Sequence, residues 1–387
     1  MTNKNSTYKR LGDYIREVDV RNKDLRCTNL LGLSIAKKFI PSIANMVGTD
    51  LRPYKIVKHN QFAYVPVTSR NGEKITVALY TGNEPAIISQ AYVVFEIVGT
   101  CDTVETVCTP SLQCDQLLPE YLMMWFRRPE FDRYARFHSH GSAREVFDWE
   151  EMCDVMLPVP SLEEQRSIVS RYKAIETRIA NNKQTIAKLE EAAQALYRKM
   201  FVDDVDVENL PEGWRMGCLG EVAEYYNKKI STSSLSNETY ISTENLLKDK
   251  KGITTIDSVP EGRCNEFKKN MILLSNIRPY FKKLWKATFD GGCSADVLCF
   301  VSKNGIPSDF LYYTMAEDSF FDHVVSGSNG VKMPRGDKDW TIKYPIVIPN
   351  STWLNEFQKK VKNLVSYSKE IQLENEKLTE MLSMMMA

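Results

Sequence analysis

From Ile168 to Met200, side chains recur at steps that alternate between four and three residues: Ile168, Tyr172, Ile175, Ile179, Asn182, Ile186, Leu189, Ala193, Leu196 and Met200. A spacing held this long commits the segment to one helix with a narrow apolar seam, and such a seam needs another helix to cover it. Pro158 and Pro160 end the preceding strand, Ser161 stands at the N-cap, and Glu164 three residues on completes the capping-box pattern. A second segment shows the same alternation: Phe357, Val361, Leu364, Ser368, Ile371, Asn375, Leu378, Leu382 and Met385.

Taking the three-residue step as a to d puts Asn182 at d and Asn375 at a, as facing residues pair in an antiparallel coil. Setting Asn182 against Asn375 matches Ile175 with Leu382, Ile179 with Leu378, Ile186 with Ile371, Leu196 with Val361 and Met200 with Phe357; Leu189 against Ser368 is the further polar layer. The expectation is an antiparallel intramolecular coiled coil whose buried Asn pair fixes register at some cost in stability. The alternative is two unrelated surface helices, each burying its seam on its own domain. The Ile168–Met200 stretch would be roughly 50 Å long at ~1.5 Å per residue, comparable with about one and a half turns of B-DNA at ~34 Å per turn.

The two helical segments follow two stretches of mixed strand and helix, and the order of landmarks repeats. Leu11-Gly12-Asp13 is followed by Leu219-Gly220-Glu221, His59-Asn60-Gln61-Phe62 by Lys269-Asn270-Met271-Ile272, Pro119-Glu120-Tyr121-Leu122 by Ser308-Asp309-Phe310-Leu311, and Phe131-Asp132 by Phe321-Asp322. Gly141-Ser142 and Gly327-Ser328 come next, then Trp149 and Trp340, an apolar strand closing at Pro160 or Pro349, and the long helix. Shared order implies a duplicated unit of globular domain plus helix. The fold class expected is α+β: mixed α/β domains at 1–158 and 206–349, separated by helices at 159–205 and 350–387 that form the two-helix coil. Amphipathic helices are expected over Leu117–Arg128 and Pro307–Val324, and strands in TYISTENLL, NMILLS and ADVLCFV.

The 387 residues suit two domains of average size. No apolar run is long enough to span a bilayer and the polar start MTNKNSTYKR lacks an apolar core, so neither a membrane segment nor a secretory signal is expected, and a cytoplasmic location follows. Nine cysteines without a C-x-x-C pair suit reduced thiols rather than a disulfide framework or zinc site. Fifty basic and fifty acidic residues leave no net charge, so any nucleic-acid contact must use local positive patches.

Signals for catalysis are missing: no G-x-G-x-x-G, no G-x-x-x-x-G-K-[ST], no H-E-x-x-H and no G-x-S-x-G. His138-Ser139-His140 precedes a loop with no Cys or carboxylate at ligand spacing, so no metal site is expected. Basic loops are the better candidates for contacting nucleic acid. In the first half these are Arg70, Asn71 and Lys74, then Ser142 and Arg144. In the second they are Lys228 and Lys229, then Arg278, Lys282 and Lys283 in SNIRPYFKKLWK, and Ser328, Asn329, Lys332 and Arg335 in GSNGVKMPRGDKDW. Each loop taken singly reads more readily as a solvated hairpin tip than as a base contact, and Arg278 could be structural, its stem lying on Tyr280.

Trp149, Leu157-Pro158-Val159-Pro160, Leu162-Glu163-Glu164-Gln165 and Ile168-Val169, with a helix closing Leu189-Glu190…Leu196…Phe201, resemble the best-marked segment of type I restriction-modification specificity subunits. Tyr54-Lys55-Ile56-Val57…Phe62-Ala63-Tyr64 and Ile277-Arg278-Pro279-Tyr280…Lys283…Ser294-Ala295-Asp296 are similar to patterns in that family's two variable regions. The resemblance implies two target-recognition domains, each reading half of a bipartite site in double-stranded DNA, spaced by the helix pair. It implies a non-catalytic chain docked by two methyltransferase subunits, through Glu164, Gln165 and Glu356, and by a translocase-nuclease subunit. S-adenosylmethionine, ATP and magnesium would be bound by those partners and no cofactor by this chain. The second junction, Pro349-Asn350-Ser351-Thr352-Trp353-Leu354, departs from the Leu-Glu-Glu-Gln pattern. A cytoplasmic adaptor carrying two protein-binding modules on a coiled-coil rod is the alternative function.

Overall fold

Short apolar runs bounded by turn residues become strands in this chain, and the two long seams become the two longest helices. The computed structural model describes residues 8–42, 48–68, 74–98, 116–141 and 144–386. The chain divides into two compact units, residues 1–180 with 375–387 and residues 181–374.

In the first unit a four-stranded antiparallel sheet runs in the order Ile15–Val18, Val93–Ile97, Phe62–Tyr64, Val77–Leu79. Its core is aromatic: Phe62 stacks on Phe95 at 5.0 Å, and Phe126 meets both edge-on at 5.7 and 6.2 Å. Strand pairs Leu31–Ser34 with Lys38–Pro41 and Lys55–Val57 with Ala86–Ile88 carry a smaller cluster around Val57, Ala63 and Val94. Helices Pro119–Phe126 and Pro129–Phe137 follow, then Trp149–Cys153, and Tyr8–Arg10 pairs with Met156–Pro158.

The second unit repeats this order. Its main sheet is Ala223–Tyr225, Val297–Ser302, Ile272–Ser275, Leu284–Lys286, all antiparallel. A second sheet orders Lys229–Ser231, Arg263–Phe267, Gly291–Cys293 and Tyr240–Ile241, the last pair parallel. Helices Ser308–Met315, Asp318–Ser326 and Lys338–Thr341 follow, and Arg215–Cys218 pairs with Pro345–Ile348. Asn60 and Asn270, matched in the sequence, do the same work: both are left-handed (φ 63° and 72°), a conformation Asn tolerates, at the turn before a core strand.

The helix expected over Pro307–Val324 is two helices. Glu317 is extended (φ −64°, ψ 143°), and the Lys250 ammonium donates to the Ala316 carbonyl at 2.8 Å, capping the first helix where a continuing one would bond. In the first unit the break falls at Arg128, which Pro129 holds out of the helical region, and the Lys37 ammonium takes the Phe126 carbonyl. Lys37 and Lys250 are both left-handed (φ 57° and 59°) and both also reach a carboxylate of the next helix: Asp132 at 2.7 Å and Asp318 at 3.7 Å. The Lys37 pair is buried, which pushes its ammonium pKa down although Asp132 raises it.

The long helices span Leu162–Phe201 and Ser351–Met386. Ser161 Oγ accepts from the Glu164 amide at 3.3 Å, as its cap position requires, and Asn350 caps the second helix by accepting from Trp353 N at 3.2 Å. Every seam residue is buried or half-buried. Within the first unit, Leu382, Met385 and Met386 pack against Met124, Val169 and Tyr172. Within the second, Phe357 lies 6.0 Å from Tyr197 and 5.3 Å from Phe201, and Val361 joins Ala193 in the same core. Asn182 is 5% exposed and its amide donates to Glu374 Oε2 at 3.0 Å; Glu374 is the residue before Asn375. Both helices contribute to both units, so the boundaries 159–205 and 350–387 do not coincide with unit boundaries.

Candidate nucleic-acid interface

In each unit a loop before the short Trp-bearing helix is closed by the same pair of backbone bridges. In the second unit Asn329 and Arg335 exchange both backbone bonds at 2.9 Å, and Arg335 also bridges Ile277. In the first unit His140 and Val146 exchange theirs at 3.0 and 2.9 Å, and Val146 bridges Val67. The bridges therefore bracket positions 141–145 and 330–334, of which 142 and 143 lie outside the described residues, and the glycines that occupy matching places are Gly141 (φ 132°) and Gly330 (φ 102°).

This corrects the sequence match of Gly141-Ser142 with Gly327-Ser328. Gly327 caps the helix Asp318–Ser326, and a Cβ there would lie 2.1 Å from the Trp340 indole. Trp340 stacks on His323 (4.8 Å, 8°) and donates from Nε1 to its carbonyl at 2.9 Å, so the glycine serves helix packing rather than the loop tip. Ser328 Oγ donates to the Val325 carbonyl at 2.7 Å and is likewise part of the helix end.

Val331, Lys332 and Met333 form the exposed tip, with Val331 fully exposed. Arg335 is anchored: its guanidinium lies 3.1 Å from Asp296. Lys74 and Arg144 are exposed, whereas Arg70, Asn71 and Ser142 lie outside the described residues. His138 Nδ1 and His140 Nε2 lie 2.7 and 3.4 Å from the Glu151 carboxylate, which fixes the segment leading into the first loop. No group of three metal-ligating side chains occurs among the described residues.

Most of the other candidate cations are engaged within their own unit. Lys228 lies 3.1 Å from Glu266, Lys229 donates to Asn265 Oδ1 at 2.6 Å, and Lys268 lies 3.1 Å from Glu266. The Tyr226 hydroxyl, then Lys228 and Lys268, donate to Glu266 and hold its carboxyl down at about 2. Lys282 pairs with Asp318 at 2.8 Å, and Lys283 donates to the Thr243 carbonyl at 2.6 Å, where burial pushes its ammonium pKa down. Among the described residues Arg278 pairs with no carboxylate, and the Tyr280 ring packs edge-on against Phe281. Asp296, through its pair with Arg335, and Asn276, through backbone bonds to Asp296 and Gly336, join this site without having been marked as contacts by the sequence.

Of the residues expected to dock partners, Gln165 is fully buried. Its amide donates to the Gln116 and Pro160 carbonyls and accepts from Leu118 N, all at 2.8 Å, so it knits the helix start to its own unit and presents nothing to a partner. Leu354 holds the corresponding helical position in the second unit, beside a cavity of about 220 Å³. Glu356 is exposed and pairs with Lys360 at 2.6 Å; Glu164 is half-buried on the first helical turn.

No protein-family model matches the chain. It is 23% identical over 296 residues to the type I restriction enzyme EcoDI specificity subunit of Escherichia coli, covering 66% of this chain and 65% of that one. It is 27% identical over 120 residues to the type I restriction enzyme MjaIX specificity subunit of Methanocaldococcus jannaschii, covering 28% of each. The chain thus spans less than two thirds of the length of either curated relative. In fold it is similar to the type I restriction-modification S subunit from M. genitalium, with a TM-score of 0.55 at 12% identity, covering 100% of this chain and 96% of the other. The chain is thus similar in sequence to type I restriction enzyme specificity subunits and similar in fold to a type I restriction-modification S subunit.

Proposed function

We propose that this chain is the DNA-specificity subunit of a type I restriction-modification complex, each unit reading one half of a bipartite site through its bridged loop. The observation that carries the reading is the loop pair: the same two backbone bridges, built on the same element order, close a loop in each unit, with Gly141, Arg144 and Glu145 exposed in the first and Val331, Lys332 and Met333 in the second. Two such loops on two bodies suit two half-sites. The two long helices act in this proposal as an antiparallel coiled coil with Asn182 and Asn375 in one layer, setting the spacer between half-sites. The antiparallel sense is supported by Leu382 and Met385 packing near Tyr172 and by Phe357 packing near Phe201.

The chain directs chemistry that partner subunits perform. Two methyltransferase subunits would bring S-adenosylmethionine, and a translocase-nuclease subunit ATP and magnesium, in the cytoplasm. Co-expression of the chain with its methyltransferase partner, followed by mapping of methylated adenines, tests the proposal. A bipartite motif that disappears when this chain is omitted is expected; methylation independent of the chain rejects it.

The adaptor reading draws on the ion-paired state of Lys228, Lys282 and Arg335 and on the zero net charge. Phosphate contacts release counterions, so duplex binding that falls steeply with salt separates the two.

A further inference from the structure

Asn-Gly occurs three times in the sequence, at Asn71-Gly72, Asn304-Gly305 and Asn329-Gly330. The dipeptide carries a reaction of its own, because glycine has no Cβ to keep its backbone nitrogen away from the asparagine carboxamide. Asn71 and Gly72 lie outside the described residues, and the other two pairs stand in different surroundings. Asn304 is left-handed (φ 53°), and its side-chain amide donates to the Glu221 carbonyl at 3.1 Å, which ties the group that would react to a neighbouring segment.

Asn329 stands at the mouth of the second unit's bridged loop. It is exposed, and its side chain makes no hydrogen bond among the described residues. Its backbone is held by the two bonds exchanged with Arg335 at 2.9 Å, but Gly330 N donates to nothing among the described residues, and Gly330 is itself exposed. Turning Gly330 N toward the Asn329 side chain breaks the backbone bond from Arg335 N to Asn329 O, which joins two exposed residues. No tether on the carboxamide has to break as well, in contrast to Asn304.

We propose that Asn329 is a deamidation site, a spontaneous modification that puts a carboxylate into the second unit's reading loop. Gly330 N gives its proton to hydroxide and attacks Asn329 Cγ. The new N–Cγ bond closes a five-membered imide as the Cγ–Nδ2 bond breaks, and the nitrogen leaves as ammonia with a proton from water. Water then opens the imide at either carbonyl, giving aspartate or isoaspartate. In sum an amide and water become an acid and ammonia, with nothing oxidised or reduced. The product is ionised at neutral pH. Its effect on binding rests on the DNA reading above: a negative charge two residues before Gly330's neighbour Lys332 repels the phosphates which that lysine would meet, and so weakens the contact of one half-site.

The test ages the full chain at mildly alkaline pH, follows each asparagine by peptide mass spectrometry, and measures binding to a fluorescent random-sequence duplex before and after. Asn329 converts faster than Asn304 by roughly fivefold to tenfold, the factor of one extra hydrogen bond to break. The aged chain binds the duplex roughly fivefold more weakly, as one unit charge near another in water predicts. Asn329→Gln, whose longer side chain would have to close a six-membered imide, keeps its affinity on ageing. Fresh Asn329→Asp shows the loss at once, with an unchanged melting temperature. Conversion of Asn304 as fast as Asn329, or of neither, overturns the site. Affinity unaffected by ageing and by Asn329→Asp, or lost together with melting temperature, overturns the effect on the duplex contact. A fresh wild-type chain without salt-dependent duplex binding overturns the DNA reading, while the mass readout still decides the site.

Discussion

Asn182 donates its side-chain amide to the Glu374 carboxylate at 3.0 Å from within an otherwise apolar seam, where it is 5% exposed. A polar residue in a seam selects one register at a cost in stability. Asn182→Leu is therefore expected to raise the melting temperature by ~2–4 °C, for about 1 kcal/mol, and to add oligomers visible in sedimentation. A lower melting temperature with a single species would show that the hydrogen bond stabilises outright and that register is set elsewhere.

Gln165→Ala leaves Leu118 N and the Gln116 and Pro160 carbonyls, all at most part-buried, without their partner. A lost hydrogen bond of this kind costs about 1 kcal/mol and an unsatisfied buried group more, so a loss of ~1–2 kcal/mol in urea unfolding is expected. A change under about 0.5 kcal/mol, the level of an ordinary surface substitution, would mean that the helix start does not depend on it.

Lys37→Met and Lys250→Met separate a buried from an exposed ion pair. Asp132 keeps 11% of its side-chain surface, so removing Lys37 strands a buried charge and should cost about 3–5 kcal/mol. Asp318 keeps 68% and is also paired with Lys282, so Lys250→Met should lose little through the ion pair, ~1 kcal/mol or less. Urea unfolding of the two variants, each with its wild-type control, decides; equal losses would refute the burial argument.

Glu266, held at about 2 against an ordinary 4.5, contributes stability that is complete above pH 4.5 and lost as pH falls through about 2. Glu266→Gln should thus be less stable than wild type at neutral pH and flatter in its acid unfolding curve over that window. Parallel curves for the two proteins would remove Glu266 from the acid response.

Seven residues inserted into both long helices, keeping the heptad, add about 10 Å of rise, or ~3 base pairs of spacer. Mapping methylated adenines reads the spacer directly, and an unchanged spacer refutes the helix pair as a ruler.

The long helices were legible because their evidence is local: a period of alternating steps, Ser161 ahead of it, and prolines before that. The duplicated order was legible for the same reason at Asn60 and Asn270, where a left-handed turn needs a particular residue type. Other features depend on distant partners and leave no local mark. Lys37 meets Asp132 95 residues away, and nothing in LSIAKKF distinguishes it from Lys38. Gln165 looked like a surface residue because its helical turn is polar, yet its bonds lie with Gln116 and Leu118. The glycine match failed because Gly-Ser recurs in sequence while the bridged loop is defined by backbone pairing, which placed Gly330 opposite Gly141's role.

In each unit one short ladder joins the strand that opens the mixed strand-and-helix segment to the strand that closes it: Tyr8–Arg10 against Met156–Pro158, and Arg215–Cys218 against Pro345–Ile348. Entry and exit of the chain are neighbours at the foot of a long helix. Such a body is a cassette: its interior can be replaced wholesale while both splice points stay where they are. A segment built this way can be exchanged between two fixed splice points with no adjustment of the helices on either side.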